Sequence, residues 1–142
     1  GPNFRRNVGN ADENALLNYG YTVLRAATAR AVVASGLHPT IGLFHSNRSN
    51  AFALADDLME PFRPLVDCKV RSIVRRRGTK VDTEAKQALA RLIATDLPLG
   101  SGVTPVSLAL MKLATSLGQS FETGKLRLVL PQSPEPLTFL DL

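Results

Sequence analysis

The sequence predicts an all-α fold, a helical bundle, and three observations carry that prediction. Apolar residues recur at helical spacing: Ala51, Ala55, Leu58, Phe62 and Leu65 fall at i, i+4, i+7, i+11 and i+14. The stretch from Leu16 to Val33 is apolar on nearly every face, the pattern of a helix at the centre of a bundle rather than at its surface. The breaks between periodic segments carry helix punctuation, with Gly36 as a stop and Thr104-Pro105 as a start. At 142 residues, with 44% hydrophobic and 20% charged, the chain can bury a proper core as one compact unit.

Taken in order, residues up to Gly9-Asn10-Ala11-Asp12 read as an irregular lead-in, with Asp12 the cap of a helix from about Glu13 to Ser35. Its charges after Glu13 are Arg25 and Arg30 alone. A link over residues 40–50 precedes a second helix that starts near Asn50. Pro61 and Pro64 interrupt that helix; each removes a backbone donor, so a kink or short break falls at Glu60. The densest basic run follows: Lys69, Arg71, Arg75, Arg76, Arg77 and Lys80. A third helix spans about Thr83 to Thr95 with Ala85, Ala88, Leu89, Leu92 and Ile93 on one face. Gly100-Ser101-Gly102 reads as a loop, and a fourth helix opens with Thr104 as cap and Pro105 in the first turn. Val106, Leu110, Leu113, Ala114 and Leu117 form its buried face. Residues 1–125 thus make the helical domain, and 126–142 an extended arm or tail, with Leu126 to Leu130 as a short strand or extended arm.

Composition narrows the function. Net charge is +5, with a pI of about 9.9, which favours polyanionic partners through association and nonspecific affinity. A single cysteine, Cys68, excludes an internal disulfide and a multi-cysteine zinc site. It fits a reducing, cytoplasmic setting and reads as a small core hydrophobe. No segment is apolar for the roughly 18 residues a membrane span needs, and no signal peptide is expected. A phosphate-binding glycine loop, an HExxH motif and a nucleophile elbow are all missing.

One concentration of chemistry stands out: His45, Arg48, Asn50, Asp56, Asp57, Glu60 and Arg63 fall within nineteen residues. Hard divalent ions such as Mg²⁺ and Mn²⁺ take carboxylate oxygens, and Mn²⁺ also accepts imidazole. A histidine and a carboxylate that leave positions open for phosphate and water suit phosphodiester chemistry. Arg48 and Arg63 lie near enough in sequence to hold phosphates. On spacing alone the plainer reading is a solvated helix face bearing aspartates, with a surface histidine.

The run FHSNRSNAFALADDLMEPFRPLVD (Phe44 to Asp67) resembles the signature segment of CRISPR-associated protein 1, the integrase of spacer acquisition. NALLNYGYTVLRA (Asn14 to Ala26) is similar to the core helix that precedes it in that family, and both segments look most like the type II branch. The resemblance implies the C-terminal helical catalytic domain of a metal-dependent DNA integrase and endonuclease. It further implies transesterification, in which a protospacer 3′ hydroxyl attacks a phosphodiester of the CRISPR array. His45 corresponds to the family histidine and Glu60, in its ME-PFRP context, to the second acidic ligand of a Mg²⁺ or Mn²⁺ ion. Asp57 matches a frequent family acid that supports the site. The family's first glutamate precedes the NALLNYGY segment, where Asp12 and Glu13 lack the right context. That ligand and the N-terminal β domain are therefore expected to be absent, and this chain alone to join or cut DNA weakly or not at all. Double-stranded DNA, a second copy of the chain and a small ferredoxin-like adaptation protein are the implied partners.

The remaining residues carry open alternatives. Arg25 and Arg30 fit a phosphate contact and an internal salt bridge equally well. Arg75, Arg76 and Arg77 fit a solvated helix end as well as a DNA-backbone patch. Tyr19 and Tyr21 read as core residues, with one at the edge of the site, and His38 as a helix C-terminal cap. A second functional class also stands: a catalytically inactive truncated homologue that acts as a DNA-binding or scaffold subunit of another CRISPR complex, such as an RNA-guided effector nuclease.

Overall fold

The computed structural model describes residues 2–36, 48–99, 102–125 and 128–131, and of residues 2–10, 48–53 and 121 the backbone alone. Within them the order is α1 (Pro2–Ala34), α2 (Arg48–Met59), a 3₁₀ turn (Glu60–Phe62) and α3 (Arg63–Arg77). Next come α4 (Thr83–Ala90), a second 3₁₀ turn (Arg91–Ala94), β1 (Asp96–Leu99), β2 (Gly102–Pro105) and α5 (Val106–Thr123). The fold is all-α, with one small hairpin between α4 and α5.

Helix α1 is the axis, and it packs against α2, α3, α4 and α5. Leu16, Gly20, Leu24, Ala27 and Ala31 fall on one face and are buried. The approach is close at Gly20, where an added Cβ would lie 2.6 Å from Val66 Cγ1 and 3.4 Å from Leu89 Cδ2. α1 is therefore longer than the sequence reading has it: helix runs through Gly9-Asn10, and Asp12 is interior rather than a cap. Pro2 stands in the first turn, where its fixed φ suits a helix and its missing donor costs nothing. Single Gly and Asn residues cost only about 1 kcal/mol or less each inside a helix, too little to stop propagation.

The proline break sits where the sequence places it. α2 ends at Met59, and Glu60–Phe62 form a 3₁₀ turn with Pro61 at its start. α3 then restarts at Arg63 with Pro64 in its first turn. Phe62, wholly buried, plugs the core at the break, and the stripe of Ala55, Leu58, Phe62 and Leu65 stays buried across it. Burying a phenylalanine of this kind contributes about 1.5–3 kcal/mol.

α4 and its 3₁₀ extension bury Ala85, Leu89 and Leu92, with Ala88 and Ile93 half-buried against them. α5 buries Val106, Ala109, Leu110, Leu113 and Ala114, with Leu117 at the edge. The start of α5 differs from the sequence reading. Thr104 and Pro105 belong to β2, paired with Leu97 and Asp96, so Thr104 is not a cap and the helix begins at Val106. Antiparallel pairing takes up the Thr104 backbone, and the Val106 N–H donates to Thr95 O at 2.9 Å. Strands of four residues, each with a proline, give little alternation to read, and Pro98 and Pro105 are tolerated because this two-stranded ribbon is all edge. Past α5, the Val129 N–H donates to Ser116 Oγ at 3.0 Å, and Leu128–Pro131 run without strand pairing. Among the described residues no helix is long and apolar enough to cross a membrane.

The basic end of α3 is partly tied down. Arg77 reaches both carboxylate oxygens of Asp82 at 3.0 and 2.8 Å, and Glu84 at 3.1 Å. Asp82 also caps α4 by accepting from the Ala85 N–H at 2.9 Å. The Arg77 guanidinium first, and then the Ala85 amide, hold the Asp82 carboxyl far below the usual carboxylate range.

Two outcomes follow from these contacts. Gly20→Ala is expected to lower stability by about 1–3 kcal/mol in urea unfolding, because overpacking against a stiff β-branched Val66 outweighs the helix propensity of alanine. The loss should shrink in a Val66→Ala background. A depressed carboxyl pKa stabilises the fold at pH values above the unfolded-state pKa, and that contribution fades as the pH falls toward the folded-state pKa. Asp82→Ala should therefore lower the Tm at pH 7 and make its decline below about pH 4 shallower, as read by melting curves.

Candidate functional site

The break at Glu60 opens a groove of about 490 Å³ between α1 and the α2–α3 junction. On α1, the spacing of Asn18, Tyr21, Thr22 and Arg25 sets all four on one side of the helix, flanking the buried stripe. Asp56 and Met59 from the end of α2, Glu60 from the turn and Arg63 from the start of α3 form the other wall.

Two arginine–carboxylate pairs organise this groove. Arg25 grips Asp56 with both arms, Nε to Oδ1 at 2.7 Å and Nη2 to Oδ2 at 3.1 Å, so both oxygens of Asp56 are engaged. Arg63 Nη1 donates to Glu60 Oε1 at 2.8 Å, which engages one oxygen. Both pairs are roughly half-exposed, and pairs of that kind contribute only about 0–1 kcal/mol. They orient side chains more than they stabilise the fold.

The Arg63 guanidinium also lies over the Tyr21 ring, 4.6 Å from its centroid. The Tyr21 hydroxyl donates to Asp67 Oδ1. Burial first, and then the Asp67 acceptor, push the Tyr21 pKa up, so the phenol stays protonated and remains a donor at neutral pH. Asp67, Tyr21, Arg63 and Glu60 thus form one continuous chain of contacts from α3 through α1 to the groove.

Placed against the sequence reading, the site residues separate. Glu60, Arg63 and Arg25 come together in the groove. Asp57 is exposed, one turn before Glu60, and is not part of the groove lining; its neighbour Asp56 is. Arg25 makes an internal salt bridge. Arg30, Arg75 and Arg76 are exposed, whereas Arg77 is held by Asp82 and Glu84. His45, His38 and the side chain of Arg48 lie outside the described residues. Tyr19 packs on the core with Lys86 Nζ 5.8 Å from its ring centroid, and Cys68 is half-buried against the core.

Asn18, Thr22 and Asp67 went unremarked in the sequence reading. The first two had a legible signal, since with Arg25 they form a polar line at helical spacing on an otherwise apolar helix. Asp67 had none, because its role depends on which helix α3 faces.

As donors for a hard divalent ion, the two groove carboxylates differ. Asp56 has both oxygens engaged, while Glu60 has Oε1 on Arg63 and suits a single ligand position through its other oxygen. Among the described residues, no three His, Cys, Asp or Glu side chains converge on one point. A histidine from outside that set is the kind of second donor Glu60 would need.

The chain matches the family model "CRISPR associated protein Cas1" over residues 4–95. It is 54% identical over 82 residues to the CRISPR-associated endonuclease Cas1 of Neisseria meningitidis serogroup C, an alignment covering 58% of this chain and 27% of that protein. It is 29% identical over 121 residues to a CRISPR-associated endonuclease Cas1 of Pyrobaculum aerophilum, covering 84% of this chain and 41% of the relative. A CRISPR-associated exonuclease Cas4/endonuclease Cas1 fusion of Geobacter sulfurreducens is 47% identical over 53 residues, 37% of this chain and 10% of the fusion. The chain therefore spans well under half the length of these relatives. With the match running from α1 through the second 3₁₀ turn, and so across every element that lines the groove, the chain belongs to the CRISPR-associated protein Cas1 family.

Proposed function

We propose that this chain supplies the helical, DNA-joining region of a metal-dependent integrase and endonuclease of CRISPR spacer acquisition, with His45 and Glu60 as metal ligands. The observation that carries the reading is Glu60 itself. It sits in a groove at a proline-enforced break, with one oxygen oriented by Arg63 and the carboxylate still half-exposed.

The reaction is a transesterification: a protospacer 3′ oxygen bonds to phosphorus at the CRISPR array, and the strand's own P–O3′ bond breaks. A Mg²⁺ or Mn²⁺ ion held there would neutralise phosphoryl charge and lower the pKa of the attacking hydroxyl. The chain's residues position and neutralise. Glu60 and His45 would hold the metal, Arg63 orients Glu60, and Arg48 would contact phosphate. Asp57 supports the acidic side from outside the groove, and Arg30, Arg75 and Arg76 offer exposed charge to the duplex backbone. The 142 residues contain two of the family's three ligands, so by themselves they join DNA weakly. Double-stranded DNA, a second copy of the chain and a small ferredoxin-like adaptation protein complete the assembly.

A second reading, a DNA-holding or scaffold subunit without catalysis, draws on the same pairs. Each groove carboxylate already has an arginine on it, which leaves the groove near neutral.

Two experiments test the proposal. A strand-transfer assay with the 142-residue chain, Mn²⁺ and a labelled duplex with a free 3′ end should give product at or near background; robust product would overturn the claimed impairment. In a Mn²⁺ titration followed by electron paramagnetic resonance, Glu60→Gln and His45→Ala should each weaken binding at least about tenfold. Asp56→Asn should leave it nearly unchanged, because both Asp56 oxygens are on Arg25. Unchanged binding in Glu60→Gln would sink the metal assignment and favour the scaffold.

A further inference from the structure

We infer that Tyr21, anchored by Asp67, is a positioning residue for Glu60, acting through Arg63. The inference rests on the reading of Glu60 as a metal ligand and assigns what sets its orientation.

An exposed i,i+3 pair such as Arg63–Glu60 is screened by water, and holding two long side chains in one geometry costs rotamer entropy. Left to itself, such a pair samples many arrangements and gives a metal no defined oxygen. Here the guanidinium is additionally stacked on the Tyr21 ring, which removes much of its freedom. The ring in turn is held at its far end, because the hydroxyl donates to Asp67 one turn further along α3. Glu60, Arg63 and Asp67 are at i, i+3 and i+7, on one side of the α2–α3 junction, and Tyr21 comes across from α1 to touch two of them.

Two consequences separate this from ordinary packing. Asp67, on α3, and Tyr21, on α1, are linked to the groove carboxylate by way of Arg63, so the orientation of Glu60 reports how α1 docks on α3. The chain also takes up only Oε1 of Glu60, in the way that hydrogen bonds to ligating carboxylates orient them at metal sites. The contribution of Tyr21 is geometric.

The test is a double-mutant cycle on Mn²⁺ affinity in the 142-residue chain, with melting curves as fold control. Tyr21→Leu should weaken Mn²⁺ binding about tenfold, the scale seen when partners of metal ligands are removed. Tyr21→Phe keeps the ring under Arg63 but loses the Asp67 anchor, so it should fall between wild type and Tyr21→Leu. It preserves volume, so it remains informative if Tyr21→Leu does not fold. In a Glu60→Gln background neither Tyr21 change should have any further effect, a coupling that a purely structural role would not produce. Equal weakening in both backgrounds, or no weakening in either, would overturn the positioning role. A Glu60→Gln variant that binds Mn²⁺ as wild type does would overturn the metal reading and this inference together. A Glu60→Gln loss with silent Tyr21 variants would overturn this inference alone.

Discussion

Pro61 lacks the backbone donor that would carry α2 past Met59, and the rest of the site follows from that gap. The chain tightens into a 3₁₀ turn, restarts at Arg63 and sends neighbouring residues to different environments. Phe62 goes wholly into the core and anchors the turn from inside. Glu60 goes outward, where a carboxylate keeps its hydration. Arg63, at the first position of α3, stands one turn from Glu60 and over Tyr21. The cost of the break is offset by burial of the Phe62 ring.

The electrostatics of the groove come from local pairs and not from the overall charge of the chain. A net charge of +5 favours a polyanion anywhere on the surface, but the groove balances Arg25 against Asp56 and Arg63 against Glu60. Exposed positive charge lies elsewhere, on Arg30 and at Arg75 and Arg76. Arg77 shows how little a basic run says residue by residue: the third arginine of the triplet turns back to cap-residue Asp82 and to Glu84. Positive charge thus lies exposed on the helix faces, and arginine-oriented carboxylates lie in the groove.

Much of the architecture was legible because helical periodicity is a property of the chain itself. The stripe through Ala55, Leu58, Phe62 and Leu65, the buried face of α5 and the centrality of α1 all follow from which residues are apolar at what spacing. The proline break was legible for the same reason, since a missing donor acts wherever the residue stands. The start of α1 and the Thr104 cap were misread because end signals are weak. A cap contributes about 1 kcal/mol, which pairing in a hairpin or continued packing outweighs. The hairpin itself left almost no trace in four-residue strands that each contain a proline.

By itself the sequence determined the helical class, the break at Glu60, the residue types available for chemistry and the family to which they belong. Tertiary structure alone decided which of those residues meet. That Asp56 rather than Asp57 lines the groove depends on about 100° of helical rotation, set by how α2 packs on α1. That Arg25 spends its charge on Asp56, and that Tyr21 links Asp67 to Arg63, are contacts between residues 31, 46 and 42 positions apart (56 − 25, 67 − 21 and 63 − 21). No local propensity encodes such pairs. They arise when apolar burial docks α1 against α2 and α3, closely enough that only glycine fits at position 20.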